Sequence, residues 1–166
     1  ACSACTAGQY QEKDGIEAGV TCKVCGKGQY APNSITVCAN CEDGKFQELD
    51  TAAQHSCKFC AAGTKFTDTQ SVCESCVSGK YQAQNTLANA VCLTCGAGQY
   101  APDSSTVCTN CQAGKYQEAN AATAYSCKFC AAGTGFVNTQ TACSACTAGQ
   151  YQEKDGIEAG VTCKVC

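Results

Sequence analysis

Residues 22–41, CKVCGKGQYAPNSITVCANC, decide how this chain is read. Two Cys-x-x-Cys pairs bracket a loop that opens on glycines, passes through an aromatic and closes on small and β-branched residues. No apolar recurrence at 3.6 residues runs through it, so it is not a helix. Gly28 suits a positive-φ turn beside the cysteine, and "GQYAP" then begins a short extended run. The stretch returns 70 residues later as CGAGQYAPDSSTVCTNC from Cys95.

Working outward, all 20 cysteines fall in such pairs, whose first members are residues 2, 22, 38, 57, 73, 92, 108, 127, 143 and 163. Long and short steps alternate, giving a two-loop unit of about 35 residues: 2–37, 38–72, 73–107 and 108–142, with 143–166 starting the next. Residues 1–25, ACSACTAGQYQEKDGIEAGVTCKVC, are part of a repeat identical to 142–166, letter for letter. Nested periods mark repeat architectures, in which each unit packs on its neighbours. The chain therefore reads as one repeat of a longer array plus the start of the next copy.

Leu, Ile, Val and Phe together number 21 of 166 residues, too few for an ordinary core. The 20 cysteines make up the deficit, as in disulfide-stapled extracellular modules. All 11 basic residues are lysine, set among 14 carboxylates for a net charge of −3, so there is no basic stripe for nucleic acid. No apolar run approaches the ~20 residues of a membrane span.

Three chemistries use Cys-x-x-Cys. Thioredoxin-type redox catalysis needs one reactive pair at a helix N-terminus, which ten evenly spaced pairs do not resemble. Four-cysteine zinc ribbons have comparable spacing, but the charge pattern of nucleic-acid ribbons is missing. Disulfides throughout agree with the even count, the thin core and the loop composition, and place the protein outside the cell or on the secretory route.

In the simplest pairing, the second cysteine of each pair bridges to the first of the next. That gives Cys5–Cys22, Cys25–Cys38, Cys41–Cys57, Cys60–Cys73, Cys76–Cys92, Cys95–Cys108, Cys111–Cys127, Cys130–Cys143 and Cys146–Cys163, with Cys2 and Cys166 joined to adjacent copies. A crossed scheme, Cys2–Cys22 with Cys5–Cys25 and onward, stays open beside it. Each sequential bridge would contribute about 3 kcal/mol in the chain-entropy account.

After each pair a glycine precedes an aromatic: Tyr10, Tyr30, Phe46, Phe66, Tyr81, Tyr100, Tyr116, Phe136 and Tyr151. Each ring is expected to pack over its own disulfide and substitute for a core; a carbohydrate-stacking face is the sharper alternative. His55, the only histidine, faces Tyr125 across the 70-residue period, so a solvent-facing aromatic role suits it better than catalysis. Glu12, Asp14 and Glu17 cluster in QEKDGIE, which lacks the alternation of a calcium loop and reads as an Asp-Gly turn. No catalytic constellation can be assembled, so neither enzyme activity, cofactor nor metal is expected. Pro32 and Pro102, each after alanine, sit in a context that resembles hydroxyproline glycosylation sites of algal wall proteins.

The repeated CxxCxxGxY pattern resembles the ephrin-receptor-like, or GCC-type, cysteine-rich repeats, which are distantly similar to tumour-necrosis-factor-receptor modules. Long tandem runs of these occur in surface proteins of ciliates, algae and other protists. The resemblance implies secretion, disulfide bonding and an elongated shape. The expected fold is small, disulfide-rich and mostly coil with short irregular β-hairpins, an elongated tandem-repeat rod without a central hydrophobic core. The expected role is structural: a glycosylated, extracellular, self-assembling filament or mastigoneme-like cell-surface or flagellar hair. A ligand-binding or adhesive receptor ectodomain is the alternative, which predicts loops that diverge between copies.

Overall fold

The computed structural model describes residues 5–11, 21–50, 56–119 and 124–166. Among them there is no helix, and regular structure is confined to seven two-stranded antiparallel ladders and two isolated bridges. The fold is small, disulfide-rich and mostly coil.

Nine disulfides close nine successive loops, and the pairing is sequential. Long loops of 16 or 17 residues' separation (Cys5–Cys22, Cys41–Cys57, Cys76–Cys92, Cys111–Cys127, Cys146–Cys163) alternate with short ones of 13 (Cys25–Cys38, Cys60–Cys73, Cys95–Cys108, Cys130–Cys143). With eighteen cysteines in bridges, the tetrathiolate ligand sets of a zinc ribbon are not formed.

Every loop is built the same way. In the second, Gln29 N–H donates to Gly26 C=O at 3.2 Å, closing a turn whose third residue, Gly28, has φ +73°. A type II turn requires that left-handed conformation there, and glycine adopts it without a Cβ clash. The turn throws the chain back as Gln29–Tyr30, which pairs antiparallel with Ala39–Asn40, the two residues between the next cysteines. The first loop pairs Gln9–Tyr10 with Lys23–Val24, and the ninth pairs Gln150–Tyr151 with Lys164–Val165. In the third and seventh loops the ladder shrinks to the single bridges Phe46–Lys58 and Tyr116–Lys128.

Burial follows from this ladder. Cys25, Cys41, Cys60, Cys76, Cys95, Cys111 and Cys130, each the second of its pair, are buried, together with Ala31, Ala90 and Ala101. The chain divides into two compact units, Ala1–Ser75 with Gln84–Val91, and Cys76–Ala83 with Cys92–Cys166. Each unit carries the same contacts, 70 or 71 residues apart.

Candidate functional site

The seams between loops are where this molecule concentrates its specific interactions, and five residues at a 35- or 36-residue spacing mark them: Gln11, Gln47, Gln82, Gln117 and Gln152, each following a long-loop aromatic. Four of the five side chains are buried, Gln47 and Gln82 to 2% exposure. The Gln47 amide donates to Gly26 C=O, Gln29 C=O and Leu49 C=O at 3.0, 3.2 and 2.9 Å, while its carbonyl oxygen accepts from Leu49 N–H. Its own backbone accepts from Gly28 N–H at 2.8 Å and donates to Thr69 C=O at 3.0 Å. One residue thus ties three consecutive loops. Gln117 repeats the set with Gly96, Gln99, Ala119, Gly98 and Thr139. Burying an amide is tolerable only when its donors and acceptor are matched, and here they are.

A second seam joins long loops to each other. Asn89 N–H donates to Gly44 C=O, and Gly160 N–H donates to Gly114 C=O at 3.0 Å. A Cβ on Gly44 would lie 2.3 Å from Asn89 N, and one on Gly114 the same distance from Gly160 N, so glycine is required for the close approach. Short loops join too: Phe66 N–H reaches Ala90 C=O at 2.7 Å, and Phe136 N–H reaches Val161 C=O at 2.8 Å.

Three of the aromatic rings gather in apolar clusters with the cysteines. Tyr10 packs against the buried Cys25 and Ala31 of the following loop, with Cys38 beside it. Phe46 gathers with Cys60 and Ala90, and Phe66 packs there beside Cys73 of its own Cys60–Cys73 bridge. Strand alternation carries Tyr10 to the following loop. Tyr10 lies opposite Lys23, and Cys25, two residues on, shares that face. The same geometry lays Lys23 on Tyr10, Lys58 on Phe46 and Lys128 on Tyr116, 5.7–5.9 Å from each ring centroid. Tyr30, Phe66, Tyr81, Tyr100, Tyr116 and Phe136 are half-buried, Phe46 is buried, and Tyr151 is 44% exposed.

Lys58 and Lys128 also pair with Glu48 and Glu118 at 2.7 Å. The hydrogen bond from Lys58 holds the Glu48 carboxyl below the usual glutamate range, and Lys128 does the same for Glu118. The reciprocal bond raises Lys128. Asp68 and Asp103 are lowered by hydrogen bonds from Gln70 and Ser71 and from Ser105 and Thr106, which close the short-loop tips. Asn138 and Asn33 do this at the matching positions, since an amide oxygen accepts as well.

Two open clefts recur at the 70-residue period. One, about 70 Å³, is lined by Tyr30, Glu42, Lys45, Ser56 and Cys57; the other, about 240 Å³, by Tyr100, Gln112, Lys115, Tyr125, Ser126 and Cys127. Lys45 is paired with Glu42 at 2.7 Å. Gln112 stands in the corresponding place in the larger cleft and cannot neutralise Lys115, which lies 4.7 Å from the Phe129 ring centroid.

His55, Cys2, Glu12, Asp14 and Glu17 lie outside the described residues. The second copy of the carboxylate cluster is described: Asp155 accepts from Ala132 N–H at 3.2 Å, and Glu158 pairs with Lys154 at 3.5 Å. Gly156 stands there with φ +67°, and its N–H donates to Cys130 C=O at 3.0 Å. Pro32 and Pro102 are exposed.

The chain matches no protein-family model and no curated protein. Its disulfide density is that of an extracellular cysteine-rich protein. Among the described residues no helix is long and apolar enough to cross a membrane.

Proposed function

We propose that this protein is a non-catalytic building block of an extracellular filament or cell-surface hair made from tandem cysteine-rich repeats. The observation that supports this is the recurrence of whole contact sets, Gly28–Gln47–Thr69 and Gly98–Gln117–Thr139, Gly44–Asn89 and Gly114–Gly160, at 70 or 71 residues. Contacts that repeat with the sequence, without closing on themselves, are what open-ended assembly needs. The verbatim copies keep those contacts equivalent, whereas recognition of one ligand favours one special surface. Partners are accordingly further copies, with glycans on the exposed Pro32 and Pro102. Negative-stain microscopy of the purified array should show fibres, and monodisperse monomers at micromolar concentration would overturn the reading. Mass spectra with unmodified peptides over both prolines would remove the glycan part alone.

The paired clefts favour a second reading, a binding ectodomain. They share a tyrosine, a lysine and a disulfide but differ in charge through Glu42 and Gln112. A glycan or cell-surface array with immobilised chain tests it: retention lost on Lys115→Ala and kept on Lys45→Ala would support that reading.

A further inference from the structure

The two clefts at the 70-residue period are built from the same elements, and a change of charge separates them. In each, a turn follows a buried cysteine: Lys45 N–H donates to Glu42 C=O and Lys115 N–H to Gln112 C=O, both at 3.1 Å. In each, the lysine ammonium rests over a phenylalanine of the next Cys-x-x-Cys, 5.0 Å from the Phe59 centroid and 4.7 Å from that of Phe129. In the first, Glu42 closes on Lys45 at 2.7 Å, and Asp43 accepts from the Asn89 amide at 3.2 Å. In the second, Gln112 and Ala113 stand in their place, so both carboxylates are gone while the lysine remains.

This second cleft lies mid-chain, with seams formed on either side of it, Gln117 to Gly96 at 3.2 Å and Gly160 to Gly114 at 3.0 Å. Its volume is about 240 Å³, and no acidic residue is among those that line it. Drug-sized ligands take pockets of about 300–1,000 Å³, so a cleft of this size suits a single ring. Tyr100 and Tyr125, both half-buried, offer apolar ring surface together with hydroxyls. Gln112 and Ser126 are exposed, and each can donate and accept. Lys115 supplies one positive charge.

The complementary ligand has C–H surface, adjacent hydroxyls and one negative charge. We propose that this cleft is a subsite for an acidic saccharide, a pyranose ring against Tyr100 and Tyr125 with its carboxylate or sulfate on Lys115. This deepens the binding reading of the paired clefts and rests on it. An acidic peptide would meet the Lys115 charge but leave the tyrosines and the amide unused. The smaller cleft, about 70 Å³ with its lysine already neutralised by Glu42, takes no such ligand.

The test titrates the full oxidised 166-residue chain by calorimetry with trigalacturonate, a sulfated galactobiose, neutral galactotriose and triglutamate. Trigalacturonate or the sulfated sugar should bind, which tells carboxylate from sulfate, and the neutral sugar and the peptide should not. Added salt should weaken binding, since the charge is partly exposed. Gln112→Glu restores the first cleft's arrangement and should lower affinity about tenfold or more; Tyr125→Ala should lower it about fivefold. Lys65→Gln makes the same change in net charge outside the lining, at a lysine paired with Glu74, and should leave affinity unchanged. Peptide maps with all bridges intact show that each variant has folded. Equal binding of the neutral sugar, binding of triglutamate alone, unchanged affinity in Gln112→Glu, or no binding of any probe would overturn the proposal. If no probe binds but the array still retains a partner through Lys115, the binding reading stands without this ligand. If the array is blank as well, both fall.

Discussion

Replacing Gln47 by leucine keeps the side-chain volume nearly constant but removes an amide that donates to three carbonyls and an oxygen that accepts from Leu49. The Gln29 and Leu49 carbonyls would lose a partner within a closed seam, at a cost of about 2–3 kcal/mol. A lower denaturant midpoint for Gln47→Leu under non-reducing conditions checks this, and Gln117→Leu should behave alike. Charge acts more weakly. Glu48 and Glu118 titrate below the ordinary value of 4.5 because Lys58 and Lys128 hydrogen-bond them. A carboxyl whose folded pKa is depressed contributes stability that is present above its unfolded pKa and lost as pH falls through the folded one. Stability should therefore be level at neutral pH and decline from about pH 5 downward. In Glu48→Gln/Glu118→Gln the decline should be shallower. The difference should stay within about 1 kcal/mol per pair, as for other partly exposed ion pairs, when thermal unfolding is followed from pH 7 to 3.

At the scale of the loop, the glycine turn has two separable duties. Gly114 and Gly149 both hold positive φ, 88° and 79°, but only Gly114 has backbone against it, at 2.3 Å from where a Cβ would stand. Gly149→Ala should cost about 1–2 kcal/mol for the left-handed conformation alone. Gly114→Ala adds a clash that moves the Gly160 segment, so its melting temperature should fall further, and hydrogen exchange at Gly160 should lose protection. The turn and hairpin of each loop were legible in advance, because they depend on residues within a few positions: the small pair after the cysteine, the glycine, the aromatic. Bridge pairing was legible as a preference, since regular steps of cysteines leave few ways to close equal loops. That Tyr10 reaches Cys25 and Ala31 of the following loop depends on which face of the ladder carries the next cysteine, which spacing alone does not give. The buried glutamines were missed altogether. Their partners are carbonyls 18 and 21 residues earlier, and a glutamine among surface residues carries no local sign of burial. The one available signal was its return after every long-loop aromatic, where short loops have Ala31, Thr67, Ala101 and Val137 instead.

For the whole molecule, 21 large aliphatic and Phe residues cannot offset a backbone entropy cost of about 1–2 kcal/mol per ordered residue. Nine bridges lower that cost by restricting the unfolded chain. Dithiothreitol with mild denaturant should expose the chain to protease, while EDTA should leave its resistance unchanged. Collapse in EDTA alone would mean metal-held thiolates and would remove the argument for an oxidising compartment.

The sequential bridges also decide how the chain bears load. Tension entering at one Cys-x-x-Cys passes through the sulfur–sulfur bond to the next, across Cα atoms 5.6–5.8 Å apart, and bypasses the loop. The residues inside each loop are slack that pulling cannot recruit. In an optical trap the oxidised chain should therefore stretch little beyond its Cys-x-x-Cys segments. Reductant added under force should release steps of about 40 Å for short loops and about 50 Å for long ones, so the chain acts as an inextensible cord whose reserve length is locked behind its disulfides.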